Sequence, residues 1–400
     1  MTLQDRIRST LGTALLGLPD PLLVNFFAGV VGFTAADVPS PIRPRDSTAD
    51  VRLLIAPANY AAQAHAWARA IEAAAPVSAQ NLTIGPGDSP RFATDDFVPR
   101  NVAEKSHGWG RRQTEALREA FTHVLVEAQR PILGRRLRGD VRREHAHLRS
   151  AGIAVAYVSH GSDLRRPSLH ADADRWSPFR DHDWDLLSTL ERVALDSRAV
   201  LDDVGEQVFV VTPDLLRDRP DATWLPNTVH PAQWATDAPL LATPQVRLLH
   251  APTNARIKGT HLIEPVIEAL VAGGGYEYRR VEGAPASAMR DAYAGADIVL
   301  EQFRLGIYST TAIEALAAGR LVIAHVAEDV REHVLRHTGL EVPIIQATPD
   351  ILADVLADIR ARRDHYRAIA GRGPMFVDAV HSGRMAATTL HSFLPYPAID

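Results

Sequence analysis

Residues 297–324, DIVLEQFRLGIYSTTAIEALAAGRLVIA, constrain the fold more than any other stretch. A short apolar run closes at Leu300, and Gln302 to Ser309 form a polar loop containing Gly306. Thr310 to Ala318 have helix-forming composition, and Gly319 stands where a helix C-cap belongs. Leu321 to Ala324 is a second apolar strand. A helix start in such a unit is a prepared anion site, because its first amides lack partners and its dipole end is positive. Glu314 reads as a first-turn residue just behind that site. Free amides for phosphate beside a carboxylate for sugar hydroxyls suggest a nucleoside-diphosphate pocket. Thr311-Ala-Ile-Glu314 also has the spacing of a capping box, in which Glu314 would only tie back its own helix.

The same alternation of strand and helix runs through most of the chain. Val51 to Ala56 is a clean buried strand, Pro57-Ala-Asn59-Tyr60 is its turn, and Gln63 to Ala75 follows as a helix with Trp67 and Ile71 on one face. Strand-like runs lie near 81–84, 92–98, 123–128, 153–158 and 207–211, with helices at 113–121, 139–151 and 184–196. No G-x-G-x-x-G fingerprint accompanies the first strand. Prolines at 226, 231, 239 and 244 punctuate a boundary near 226–244. The pattern then restarts with strands at 246–250 and 277–282 and helices at 261–272 and 286–295. A strand near 342–345 and helices at 349–367 and 378–393 close it.

The expected fold is therefore α/β, with two Rossmann-like doubly wound domains facing across a cleft. Residues 1–50 are read as an N-terminal extension of short helices, its stretch 34–50 a linker or exposed entry loop. Residues 51–230 form the first domain and 245–375 the second, with 376–400 a C-terminal helix and tail, a candidate to cross back to the first domain. Four hundred residues are enough for two cores. A net charge of −5 gives no electrostatic case for nucleic acid. The absence of cysteine excludes disulfides and thiolate metal sites. Leu11 to Phe33 is the most apolar stretch, but Pro19, Asp20, Pro21 and Asn25 interrupt it, so a membrane span is not expected. A cytoplasmic location follows, with peripheral membrane contact through this stretch as the alternative.

Only Lys105 and Lys258 are lysines among 43 basic residues, so Lys258 invites a specific explanation. It lies in Ala251-Pro-Thr-Asn254-Ala-Arg256-Ile-Lys258-Gly259-Thr260, the loop after the first strand of the second domain. Arg256 and Lys258 suit a diphosphate, the guanidinium chelating two oxygens and the ammonium acting as a point charge; a solvated basic loop is the plain alternative. In the first domain, Ser159-His160-Gly-Ser-Asp163-Leu-Arg165 follows a strand, and His160 could contact a sugar hydroxyl or shuttle a proton. The arginines at 130, 135, 136, 138, 142, 143 and 149 could face an anionic acceptor or a membrane, although a solvated helix face is the better reading. Glu127, Asp202 and Asp203 form no recognisable pair, and no metal-ligand spacing stands out.

Taken in order, strand-Pro-Ala-Asn59-Tyr60, His160-Gly-Ser-Asp163, Trp224-Leu-Pro-Asn, His250-Ala-Pro-Thr-Asn254-x-x-x-Lys258-Gly and Gly306-x-Tyr308-x5-Glu314-Ala-x-Ala-x-Gly319 resemble the bacterial glycosyltransferases of the GT-B fold. The resemblance is nearest to the retaining family 4 group and covers about residues 50–395. It implies that Glu314 holds the donor ribose and that the amides of Ser309, Thr310 and Thr311 cradle the diphosphate. It implies further that Arg256 and Lys258 neutralise the phosphates and that His160 sits near the transferred sugar. Asn254, Gly306 and Tyr308 fall in the donor motifs, and Asn59, Tyr60, Asp163 and Arg165 on the acceptor side. Family 4 enzymes commonly carry a second glutamate seven residues before the one matching Glu314; here that position is Gly306. Glu301 or Gln302 could substitute if the loop folds back.

The leading expectation is a retaining, metal-independent hexosyltransferase with a nucleoside-diphosphate sugar as co-substrate, no further cofactor, and an acceptor that the sequence does not name. A non-catalytic nucleotide- or sugar-binding protein of polysaccharide assembly and a nucleotide-sugar epimerase are the alternatives. The sequence does not fix the oligomeric state.

Overall fold

The computed structural model describes Gly29 and residues 31–396. The reading of residues 11–33 as short helices, and of peripheral membrane contact through them, lies almost wholly outside the described residues. Within 31–50, Val31, Phe33 and Ile42 are buried. The Ile42 N–H donates to Gln113 Oε1 at 3.2 Å and the Asp46 N–H to Ser78 Oγ at 2.9 Å. This segment is therefore anchored on the first unit and is not a free linker.

Twelve strands follow among the described residues: β1 Val51–Ala56, β2 Val77–Gly85, β3 Asp96–Pro99, β4 His123–Glu127, β5 Ala154–Ser159, β6 Val208–Val210, β7 Thr223–Trp224, β8 Val246–His250, β9 Tyr276–Arg280, β10 Ile298–Leu300, β11 Leu321–Ala324 and β12 Ile345–Gln346. They form two sheets, of order β3-β2-β1-β4-β5-β6-β7 and β12-β11-β10-β8-β9. The pairings of β1 with β2 and β4, and of β8 with β9 and β10, are parallel. Parallel neighbours need crossovers, and helices such as Gln63–Ala74, Val141–Ser150, Thr260–Ala272 and Thr310–Ala317 supply them.

The chain divides into two compact units. The first comprises the described residues up to Asp163, then Asp196–Phe209, then those from Leu390 onward; the second comprises Leu164–Leu195 and Val210–Thr389. The stretch 164–195, read from sequence with the first domain, thus belongs to the second. Its side chains explain why. Arg165 Nε donates to Asp214 at 2.7 Å, Asp181 accepts both terminal nitrogens of Arg304 at 2.7 and 2.6 Å, and His170 Nε2–H donates to Leu305 O at 3.1 Å.

The central strands β10 and β11 of the second unit are apolar throughout because both sheet faces are covered there. Ile298 and Leu300 of β10 pack with Leu248, Ile263, Ile267 and Phe303 on one face. Val299, between them, packs with Tyr293, Ile313, Leu316 and Val322 on the other. Each such side chain contributes roughly 1.5–3 kcal/mol on burial, and the alternation fixes which way the ends of β10 and its loops point.

Candidate functional site

In the second sheet the strand order reverses between β8 and β10, so the loops leaving their carboxyl ends part to opposite sides. Such a switch point is where open α/β sheets receive ligands. The loop after β8 contains a short helix, Ala255–Lys258, whose Ile257 N–H is capped by Asn254 Oδ1 at 3.2 Å. Asn254 is thus spent on the backbone. Gly259 has φ +81°, and a Cβ there would lie 3.0 Å from Arg304 Cγ and 3.2 Å from Phe303 Cβ. Glycine allows the two loops to touch, and the Phe303 N–H donates to Lys258 O at 3.2 Å. Below them, His250 Nδ1–H donates to Leu300 O at 2.7 Å and Nε2 accepts from Thr260 Oγ1 at 2.8 Å.

These ties bring Lys258, Glu301 and Ser309 together. The Lys258 ammonium is paired with Glu301 and donates to Ser309 Oγ at 2.9 Å, while Ser309 Oγ donates to Glu301 Oε1 at 2.6 Å. Glu301 is 1% exposed, and its Oε2 has no hydrogen-bond partner. An ammonium has three donors, so one remains beyond these two contacts. Ser309 is also the N-cap of helix Thr310–Ala317 and makes no side-chain cap bond. The half-buried Thr310 and Thr311 follow it, with the unpaired first amides of the helix.

The structure corrects two readings of Glu314. It lies beyond the first turn, and it forms no capping box, because its Oε2 accepts the Tyr293 hydroxyl at 2.8 Å. Burial pushes its carboxyl up to about 7, against the opposing effect of the tyrosine bond. Burial and Glu314 together raise Tyr293 well above its ordinary value, so the tyrosine stays a donor.

Other motif residues play local parts. Gln302 Oε1 accepts the Arg304 and Leu305 amides at 3.1 and 3.4 Å, which folds the loop on itself. Tyr308 is buried, its hydroxyl 3.2 Å from His381 Nε2, so its side chain belongs to the core and not to the loop surface. Gly306 has φ +65°, and a Cβ there would lie 3.0 Å from the Ala327 Cβ and 3.6 Å from Asp174 Oδ2. Asp174 accepts from His325 Nε2 at 2.7 Å. Burial raises the Asp174 carboxyl, but that bond and the Trp176 amide outweigh it and leave it below its ordinary value. Sequence reading missed this carboxylate, which lies more than a hundred residues from Gly306.

Arg256 does not join Lys258. Its guanidinium is held by Asp183 at 2.9 and 3.2 Å and by Asp181 at 3.2 Å. These three residues line a cavity of about 520 Å³ with Ala255, Thr260, His261, Glu264 and Arg280. The cavity opens beside the carboxyl ends of β8 and β9.

In the first unit, His160 Nε2–H donates to Glu127 Oε1 at 3.0 Å. Glu127 is fully buried and also accepts the Ala58 amide at 2.8 Å and the Asn59 amide at 2.9 Å. His160 is packed between Trp67, stacked at 5.7 Å, and Tyr60, edge-on at 5.0 Å. Asp163 accepts the His160 and Gly161 amides at 3.0 and 2.7 Å, and Asn59 Nδ2 donates to Ala93 O at 2.8 Å. His160, Asn59 and Asp163 therefore knit the carboxyl ends of β1, β4 and β5 together. The sequence reading left Glu127 without a partner; it is the hub. Arg165 is buried on Asp214 in the second unit and is not an acceptor-side surface group. Tyr60 alone of these is exposed, with the Arg130 guanidinium 5.5 Å above its ring.

The strand orders and parallel pairings define the class: this is the α/β fold of the GT-B glycosyltransferases. Among particular solved structures, the chain is similar to sucrose-phosphate synthase from Thermosynechococcus elongatus, with TM-score 0.55 and 14% identity over 85% of this chain and 97% of that one. It is similar to Anabaena Alr3699/HepE solved in complex with UDP-glucose, with TM-score 0.52, 11% identity and coverages of 85% and 99%. WaaG, a glycosyltransferase involved in lipopolysaccharide biosynthesis, gives TM-score 0.50 at 13% identity, covering 86% and 99%. No protein-family model matches the chain, and no curated protein matches it by sequence. Among the described residues no helix is long and apolar enough to cross a membrane.

Proposed function

We propose that this protein is a glycosyltransferase that moves a hexosyl group from a nucleoside-diphosphate sugar to an acceptor hydroxyl, with retention. The observation that carries the reading is the switch point of the second sheet, where Lys258, with one remaining donor, is bonded to Ser309 at the open start of helix Thr310–Ala317, the helix that also carries Glu314. The ammonium and the helix amides would stabilise the negative charge that grows on the departing diphosphate. Glu314 would accept the ribose hydroxyls. The Lys258 ammonium and the helix amides make a metal ion unnecessary in this proposal, and turnover that is lost in chelator would count against it. The Anabaena Alr3699/HepE structures are complexes with UDP and with UDP-glucose, which supports the donor class.

A binding protein without transferase activity is the second reading, and Gly306 favours it. No carboxylate stands at that position, and a side chain there would meet Ala327. Calorimetry with UDP, GDP and ADP on the wild type and Glu314→Gln tests the shared part. One nucleotide should bind, and bind much more weakly to the variant. Absence of binding by all three would end both readings. Release of free nucleotide from the matching nucleotide sugar, in the presence of acceptor candidates, then separates an enzyme from a binding module.

A further inference from the structure

The first unit holds a second concave site that the donor reading does not use. Pro57, Ile84, Arg100, Ala103, Glu104, Arg130, Pro131, Gly134 and Arg135 enclose a cavity of about 260 Å³. Its walls come from the ends of four neighbouring strands in the order β3-β2-β1-β4. Arg100 follows β3, Ile84 lies at the end of β2, Pro57 follows β1 and Arg130 follows β4. The strand order reverses between β1 and β4, so this cavity is the switch point of the first sheet, as Lys258 marks that of the second.

Several features show that the loop carrying Arg130 and Arg135 is held in place. Ala128 and Gln129 both have positive φ, at 54° and 48°, directly after β4. Such strain persists only where the surroundings fix it, and it gathers at ligand sites. Gly134 has φ +63°, and a Cβ there would lie 2.3 Å from Ala103 O, so only glycine lets the loop rest on the helix Arg100–Lys105. The buried Glu144 accepts the Ile132 and Leu133 amides at 2.7 and 3.2 Å and ties the same loop from behind. Arg130 is further placed by the Tyr60 ring. Arg100 and Arg135 have no carboxylate partner among the described residues. The arginines at 130–149 are read from sequence as a solvated helix face; Arg130, Arg135, Arg136 and Arg138 instead lie in this loop, ahead of helix Val141–Ser150, and Arg100, from outside that group, lines the cavity with Arg130 and Arg135.

We infer that this cavity binds a soluble phosphomonoester. Three guanidinium groups and one carboxylate leave a net charge of +2, which matches a phosphate dianion, and guanidinium forks chelate phosphate oxygens. Glu104 is placed to accept a hydroxyl of the group that carries the phosphate, so the ligand class is a phosphorylated sugar or polyol. That this ligand is the sugar acceptor rests on the proposed glycosyl transfer; its binding does not.

The test is calorimetric titration of the full chain with glucose 6-phosphate, glucose and inorganic phosphate. It is run on the wild type, Arg100→Gln/Arg135→Gln, Glu104→Gln and Glu314→Gln. Vesicles containing phosphatidic acid form a parallel arm. Saturable binding of glucose 6-phosphate but not glucose is expected. It should weaken about tenfold or more in the double arginine variant and stay unchanged in Glu314→Gln. Glu104→Gln should weaken glucose 6-phosphate and not inorganic phosphate. The arginines are exposed, so circular dichroism should show an unaltered fold. Equal binding by wild type and arginine variant, or none, would overturn the inference. Binding to the vesicles without binding to the soluble phosphate would also overturn it, in favour of a lipid headgroup. If UDP, GDP and ADP all fail to bind while glucose 6-phosphate binds, the donor reading falls and this site stands.

Discussion

The Tyr293 hydroxyl donates to Glu314 Oε2 at 2.8 Å, reaching the carboxyl from the helix preceding β10. This bond directs the Glu314 carboxyl to Tyr293 and away from its own helix cap. A buried carboxyl with a single donor sits near its titration point at neutral pH, about 7 here.

Nucleotide affinity should therefore depend on pH. Only the ionised carboxylate accepts two hydroxyls, so affinity should rise between pH 6 and 8 with an inflection near 7. Glu314→Gln should lack that inflection while keeping any change due to the nucleotide's own phosphate. Tyr293→Phe removes a bond that favours the charged form, so its inflection should move to higher pH. Calorimetry at half-unit steps would show this, and identical profiles for wild type and Glu314→Gln would refute it.

Lys258 and Glu301 are both almost fully buried, so each is compensated chiefly by the other. Lys258→Ala should leave a buried carboxylate with only Ser309 as donor and lower stability by about 3–5 kcal/mol. Lys258→Met combined with Glu301→Gln should recover much of that loss, because no unpaired charge remains. Urea unfolding midpoints of the three proteins decide the matter; a double variant less stable than Lys258→Ala would contradict the pairing. Nucleotide binding should fail in both variants, which separates the structural role of the pair from the role proposed for its remaining donor.

Placing a glutamate at Gly306, where the resemblance to family 4 enzymes would lead one to expect it, should not improve this protein. Gly306→Glu places a side chain at φ +65° with its Cβ 3.0 Å from that of Ala327. The left-handed backbone and the contact together should cost about 1–3 kcal/mol. A thermal midpoint equal to the wild type, with higher turnover, would show that the loop path adapts and that the glycine is no obstacle to a carboxylate there.

What could be read from the sequence was what local pattern encodes. Val51–Ala56, Val246–His250 and Leu321–Ala324 are apolar runs bounded by turn residues, and the strands have those limits. The stretch 349–367 reads as one helix but breaks at Arg362, with φ −117° and ψ 48° and no proline or glycine to mark it. Helix Glu328–Thr338 escaped notice because its composition is mostly polar and only Val330 and Val334 are buried. Lys258 and Glu314 stand out as candidates in the sequence because motif residues surround them. Glu127, Asp174, Asp181 and Asp183 do not. Each acts through a partner dozens to more than a hundred residues away, and such a pairing leaves no local periodicity. The placement of 164–195 in the second unit was hidden for the same reason, since long-range ion pairs and not a hydrophobic pattern hold it there.

Glu144 gives a prediction for stability with the opposite sign to ordinary acid denaturation. Burial raises its carboxyl from 4.5 to about 8, despite the two amides it accepts. The folded state thus holds a proton that the unfolded chain has released across most of this range. Stability from Glu144 is complete below about pH 4.5 and is lost as pH rises toward 8. The loss should amount to roughly a few kcal/mol over that window. Glu144→Gln keeps an acceptor for the Ile132 and Leu133 amides but carries no proton to lose. Its urea midpoint should fall less than that of the wild type between pH 5 and 8. Because the same two amides position Arg130 and Arg135, glucose 6-phosphate binding should weaken over that range in the wild type and hold steady in the variant. Parallel stability curves would place the Glu144 carboxyl in its ordinary range and remove the coupling between its proton and the arginine loop.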